Sequence, residues 1–280
     1  TKGMRLAPVQ MVSGGDVGAN LEQAEPLIAR AAEAGARLVV LPEYFGIFGA
    51  RATDKLAVRE KDGEGPQQAF LSRLAKKHAI WLVGGTVPVA TSDPGRVRSA
   101  CVIYGAHGQR VARYDKIHLF AFTRGEERYD EGRTIEPGTD VVTVDLPSGR
   151  AGLSVCYDLR FPELYRRMGE LSLIIVPSAF TATTGAAHWH LLLRTRAVEN
   201  QCYVLAAAQG GVHPGGRRTY GHSLLIDPWG LLVAELEEGP GIVAGDVDPE
   251  RIAKVRSELP ALAHRVVLPR VDGERRRAQG

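Results

Sequence analysis

Apolar and polar positions along the chain follow two periods in turn. Leu21, Ala24, Leu27, Ile28, Ala31 and Ala32 recur at helical spacing. They predict a helix capped by Asn20 and stopped by Gly35, then a strand at 38–41. Pro26 falls inside that stretch and either kinks the helix or delays its start. A first strand is expected at 4–11, and a second helix opens with Pro66 and runs into a strand at 80–87. All-β patterning follows, with two strands around Gly108 and two more around "PSGR" at 147–150. The remainder reads as a helix from Pro162 to about Gly169, a strand at 173–180, a helix at 188–201 and a strand at 202–209. A hairpin turning at 227–230, a last strand at 241–247 and a short helix from Pro249 close the pattern.

Strands this apolar need cover on both faces, so the order predicts sheets sandwiched by helices. No repeat or linker interrupts it; one domain is expected over 1–270, with a basic tail at 271–280. The carboxyl ends of two predicted strands carry Glu43 and Cys156, and such ends are where ligands collect in α/β sheets.

Composition adds bounds. With 280 residues, 44% hydrophobic and 24% charged, the chain can bury a large core. No apolar run is long enough to span a bilayer and the first residues lack a secretory h-region, so a cytoplasmic protein with no membrane partner is expected. The net charge of +3 owes much to the tail, which reads as a solvated terminus and not a nucleic-acid arm. Three widely spaced cysteines, 101, 156 and 202, suggest neither a disulfide framework nor a metal site.

Cys101 and Cys202 sit among strand-like apolar residues and read as buried packing. Cys156 instead ends an apolar run and meets the polar "YDLRFPE". A free thiol titrates near about 8.5, so a nucleophilic role requires a base or a positive neighbour. His118, His188, His190 and His222 are possible cleft residues, but no HExxH or protease-like cysteine context accompanies them. Glu43 in "VVLPEYF" and Lys116 in "RYDKIHLF" are charges at the ends of apolar runs, an uncommon place unless they are paired or used.

With "LPEYF", "YDKIHLF" and "SVCYDLRFPEL" in this order, the chain resembles the nitrilase superfamily of carbon-nitrogen hydrolases, and "PSAF", "HWHLLLRTRAVENQCYVLAAAQ" and "YGHSLLIDPWG" extend the likeness over nearly its whole length. The resemblance implies a four-layer αββα sandwich that dimerises into αββα-αββα. It implies an amidase with no metal or other cofactor, acting through Glu43, Lys116 and Cys156, with Glu131 as an additional positioning glutamate and Glu127 the competing assignment. Glu43 would serve as base, and Lys116, which favours the thiolate, would join the Tyr157 N–H in stabilising the oxyanion.

The stretch 177–230 looks most like the Nit branch, on its deaminated glutathione amidase side, although His190 replaces an acid usual in "HWE". That implies a small-molecule amide as partner, split into 2-oxoglutarate and Cys-Gly; action on 2-oxoglutaramate, a nitrile or another small amide are the alternatives. For an anionic substrate the candidates are Arg128, Arg160 and Thr181, with Tyr44, Tyr157 and Phe180 as walls, while Trp189 and Trp229 read as packing residues. Arg160 has a second reading, as a buttress paired with Asp158 or Glu163. A non-catalytic scaffold is disfavoured by the presence of all three candidate groups, and a glutamine amidotransferase by the lack of a Gly-x-Cys-x-Gly elbow.

Overall fold

The computed structural model describes residues 2–267; the tail expected at 271–280 lies outside them. In chain order the first part comprises β1 (Met4–Gln10), α1 (Val17–Glu33), β2 (Leu38–Val40), α2 (Asp54–Ala57), α3 (Pro66–His78), β3 (Trp81–Val83), β4 (Val87–Ala90), β5 (Val97–Tyr104) and β6 (Arg110–Asp115). A small hairpin follows, β7 (Ala121–Arg124) and β8 (Glu127–Asp130). Then come β9 (Thr143–Leu146), β10 (Gly149–Leu153), α4 (Pro162–Arg167), β11 (Leu173–Ser178), α5 (Ala182–Asn200), β12 (Tyr203–Ala208), β13 (Ser223–Ile226) and β14 (Leu232–Leu236). The chain returns with β15 (Gly241–Ile242), β16 (Gly245–Val247) and α6 (Pro249–Glu258).

Two sheets result. The first runs β15-β1-β2-β3-β5-β4, with β16 also on β1 and β6 also on β5; the second runs β14-β13-β12-β11-β10-β9. Strands β1, β2 and β3 are parallel, as are β10, β11 and β12, and antiparallel neighbours flank each trio. Alternation along the first sheet feeds two cores. Leu6, Leu38, Val40 and Ile103 face Leu153, Ile175 and Leu205 of the second sheet. Ala7, Val39, Leu41 and Val102 face Ala24, Ile28, Leu71 and Leu74 of α1 and α3. Trp189, Leu193 and Ala197 of α5 cover the second sheet's other face. The layers are therefore helix, sheet, sheet, helix, as expected.

Several boundaries differ from the sequence expectation. Helix α1 is capped by Asp16, whose carboxylate accepts the Ala19 N–H at 2.7 Å, and it runs unbroken through Pro26. Asn20 is unavailable for capping because its side chain bridges Gly14 and Gly46. Helix α5 starts at Ala182, capped by Thr181, not at 188. The strand expected at 80–87 divides into β3 and β4 around Gly84-Gly85-Thr86, and the one at 241–247 into β15 and β16. The β7–β8 hairpin had no sequence signal strong enough to predict it. Trp189 is a packing residue, fully buried with its indole N–H on the His222 carbonyl, whereas Trp229 is half exposed at the β13–β14 turn and packs little.

Gly85 shows why the β3–β4 break exists. Its φ is +49°, and a Cβ there would sit 1.9 Å from the Pro42 carbonyl oxygen, immediately before Glu43. Gly85→Ala is expected to cost more than about 1 kcal/mol in urea unfolding and to lower activity with it; an unchanged midpoint would contradict this account of the contact.

Candidate active site

Glu43 follows the carboxyl end of β2, Cys156 the carboxyl end of β10, and Lys116 the end of β6. The two sheets meet where Met11 and Gln209 extend β1 and β12 as a parallel bridge. Gln209 ties that junction to the site: its amide donates to the Glu43 carbonyl (3.1 Å) and to Ser13 Oγ (2.9 Å). Residue 44 has φ +58° and residue 156 φ +47°, left-handed conformations unusual for non-glycine residues and found where structure over-determines the backbone. Thr86 Oγ1 accepts the Tyr44 N–H at 2.9 Å and helps hold the first.

The second is held by Asp158, fully buried in the turn that begins at Cys156. One carboxylate oxygen accepts the Val155 N–H (2.8 Å) and the Tyr114 hydroxyl (2.6 Å). The other meets the His118 N–H (3.1 Å) and Nδ1 (2.7 Å). Asp158 thus fastens the cysteine turn to the segment bearing Lys116. Sequence reasoning missed this role: one short buried acid makes four contacts, to Tyr114 and His118 on either side of Lys116 and to Val155 just before Cys156.

Lys116 is fully buried, its Nζ 2.7 Å from Glu43 Oε1 and 2.9 and 3.2 Å from the two oxygens of Glu131. Glu131, not Glu127, makes this contact; Glu127 accepts the Thr183 hydroxyl instead. The Tyr44 hydroxyl (2.8 Å) and the Phe120 N–H (2.9 Å) also donate to Glu131. The second oxygen of Glu43 accepts the Ala179 N–H at 3.0 Å, and the Cys156 thiol bears on the same carboxyl group.

These environments separate the carboxyl groups. Burial, reinforced by the Glu131 charge, raises Glu43 despite Lys116. Glu131 is equally subject to burial, but Lys116 and the Phe120 and Tyr44 donors overcome it and hold the group low. Burial opposes charge on Lys116 too, and the two carboxylates outweigh it, leaving the ammonium raised. The thiol is raised by burial and then by Glu43, with Lys116 too weak to reverse them. Lys116 does favour the thiolate, as expected, but burial and the Glu43 charge outweigh it and leave the thiol raised.

Two cavities meet at Phe120. The narrow one is lined by Cys156, Tyr157, Arg160, Phe180, Thr181 and Thr184, and so gathers four of the expected binding residues. The other, about 650 Å³, is lined by Tyr44, Glu131 and the exposed Arg128, together with Lys55 and Arg217, which the sequence gave no motif to find. Three expected roles change. The Thr181 hydroxyl caps α5 by accepting the Thr184 N–H, and the Tyr44 hydroxyl is engaged by Glu131. Arg160 pairs with neither Asp158 nor Glu163; it reaches His188 Nδ1 at 3.2 Å and lies over the Phe180 ring. His190 and His222 both meet Glu235 Oε1, at 2.5 and 2.8 Å, and line neither cavity. These three side chains bring ligand atoms within 4.8 Å of one another, a grouping that the sequence expectation of no metal site did not foresee.

Comparison with known proteins agrees with this arrangement. The Carbon-nitrogen hydrolase family model matches residues 5–257. A deaminated glutathione amidase of Synechocystis is 39% identical over 268 residues, 94% of this chain and 98% of that enzyme. Human omega-amidase NIT2 is 38% identical over 261 residues, 91% of this chain and 92% of that one. Among solved structures, Saccharomyces cerevisiae Nit3 superposes with a TM-score of 0.85 at 34% identity, covering 95% of this chain and 98% of that chain. The C. elegans NitFhit protein gives 0.87 at 39% identity, covering 95% of this chain and 66% of that longer one.

Because the base must be ionised to accept a proton, amide turnover is expected to fall on the acid side as Glu43 becomes protonated, at a pH above the ordinary carboxylate range. Glu131→Gln removes a charge that raises Glu43, so the acid limb of kcat/KM should move to lower pH. A pH–rate profile whose limb stays put or moves upward would contradict the coupling.

Proposed function

The chain belongs to the carbon-nitrogen hydrolase family, a hydrolase of carbon-nitrogen bonds other than peptide bonds, and on that premise we propose that Glu43, Lys116 and Cys156 cleave an amide through a thioester. The observation that carries this reading is the Cys156 thiol against a Glu43 carboxyl group bonded to a fully buried Lys116. Glu43 takes the thiol proton as Sγ attacks the carbonyl carbon. Of the three Lys116 N–H bonds, one is directed to Glu43 and one is shared by the Glu131 oxygens. The third is available to the oxyanion, as is the Tyr157 N–H, which lies in the first turn of its helix without a partner in that turn. Glu43 then protonates the departing nitrogen, and the amine leaves. Water attacks the thioester with Glu43 again as base, releasing the acid and returning the proton to sulfur.

The substrate we favour is deaminated glutathione, giving 2-oxoglutarate and Cys-Gly. A cavity of about 650 Å³ beside Glu131 lies within the range of roughly 300 to 1,000 Å³ typical for drug-sized ligands, more room than the smaller 2-oxoglutaramate needs. Hydrolysis of 2-oxoglutaramate is the second reading, favoured by the comparable likeness to human omega-amidase NIT2. Competition between the two amides tests this. A preference of tenfold or more in kcat/KM for deaminated glutathione, roughly 1.4 kcal/mol, is expected, and the reverse preference would favour the omega-amidase reading. Cys156→Ala should abolish turnover of both, and Glu43→Gln should lower kcat on the order of 10²–10⁴-fold.

Pairing of two copies through α5 is part of the same proposal. Leu191 and Val198 on α5, and Trp229 and Leu231 at the β13–β14 turn, are all about half exposed or more. Arg194 Nε donates to the Gly230 carbonyl at 2.9 Å, which joins the helix and the turn into one apolar face. Stacking two such faces gives the αββα-αββα order. Leu191→Glu with Val198→Glu is expected to halve the mass measured by light scattering; an unchanged mass would remove this interface.

A further inference from the structure

The geometry points to Lys55 and Arg217 as a carboxylate-reading subsite, selecting amides that carry a free carboxylate several bonds from the scissile carbonyl. This inference rests on the amidase reading and deepens it. Both side chains line the large cavity, which also takes in Tyr44 and Glu131 of the candidate catalytic array. They arrive from distant segments: Lys55 from α2, and Arg217 from the loop after β12, where Gly215 and Gly216 at φ +79° and +81° turn the chain back.

Each cation is held in place, yet among the described residues neither forms an ion pair. The Lys55 ammonium donates to Thr134 Oγ1 at 3.0 Å and lies 5.5 Å from the centre of the Tyr44 ring. Among the described residues no carboxylate oxygen comes within 4 Å of it. The Arg217 guanidinium is stacked between Phe48, at 5.0 Å, and Tyr129, at 4.6 Å. Its Nε is buried without a hydrogen-bond partner. The carboxylates that share the cavity are engaged elsewhere or turned outward: Glu131 is bonded to Lys116, Glu127 to Thr183, Asp130 pairs with Arg133, and Glu126 is exposed at the β7–β8 turn.

A cation taken out of water and left unpaired is costly, and a planar guanidinium clamped between two rings offers its donors in the geometry that a carboxylate accepts. An anionic ligand supplies the missing counter-charge to both groups at once. The neutral aromatic surfaces fix the guanidinium without competing for its N–H bonds. Of the three residues first expected to read an anion, Arg128 lines the same cavity but is exposed, Arg160 reaches His188, and the Thr181 hydroxyl caps a helix.

The test compares 2-oxoglutaramate with 4-oxopentanamide, which carries the same ketone and amide but a methyl group in place of the carboxylate. The wild-type protein should favour the charged amide at least tenfold in kcat/KM. Arg217→Met and Lys55→Met should each erode that ratio through KM for the charged amide, and Arg217→Lys should restore part of it. A ratio unchanged in both Met variants would overturn the subsite. A direct arm uses 2-oxoglutarate binding to Cys156→Ala, measured by calorimetry. Adding Arg217→Met should weaken binding at least tenfold, and equal affinity, or no binding to the parent, overturns the inference. Absence of Cys156-dependent turnover of any amide would instead refute the amidase reading, and the binding arm would still decide the subsite.

Discussion

A buried ammonium held between two carboxylates is the constraint around which the rest of the site is arranged. Lys116 is fully buried and Glu43 nearly so, with Glu131 partly screened at the cavity wall. Breaking such a set by removing one partner leaves an uncompensated buried charge, a loss on the order of 3 to 5 kcal/mol. The protein reduces the desolvation cost by supplying further donors: Ala179 to Glu43, and Tyr44 and Phe120 to Glu131. Each donor comes from a different part of the chain, so the array forms only when both sheets, the loops after β2 and β11, and the segment leading to β7 are in place.

That requirement explains the fold's use of two face-to-face sheets. Glu43 comes from one and Cys156 from the other, and the junction of β1 with β12 brings the two strand ends to one rim. Asp158 and Gln209 are the ties across it. Asp158 fixes the cysteine turn to the lysine segment, and Gln209 fixes the junction to the backbone of the base. Neither need touch substrate, and both restrict how far the thiol and the carboxyl group can drift apart.

The catalytic candidates stood out as a charge or thiol at the end of an apolar run, and the resemblance of their three motifs to the carbon-nitrogen hydrolases is what singled them out. The layered fold was legible from patterning: helical and strand periods alternate clearly, and strands such as 173–180 are apolar on both faces. Glu131 and Glu127 could not be separated that way. The β7–β8 pairing, which matches Arg124 with Glu127 and Ala121 with Asp130, decides which glutamate lies beside Lys116, and an exposed hairpin of two four-residue strands leaves little trace in sequence. The start of α5 was misjudged because "TATTGAA" carries no apolar stripe. Its cap resides in Thr181, which looked like a ligand residue. Lys55 and Arg217 were invisible for a different reason: a missing counter-ion is a property of three-dimensional surroundings, and no residue pattern records it.

The same surroundings give the thiol its character. Had Lys116 stood alone beside Cys156, its charge would have favoured a standing thiolate, reactive toward any electrophile that entered. Here burial and the Glu43 charge outweigh Lys116 and leave the thiol raised. In the mechanism proposed above, Glu43 takes that proton as sulfur attacks a carbonyl and an oxyanion forms beside the third Lys116 N–H, which would tie reactivity to occupancy. A substrate anchored at its carboxylate by Lys55 and Arg217 would hold its amide in place long enough for that coupled transfer, and on this proposal the cysteine would be activated by the substrate that the cavity selects.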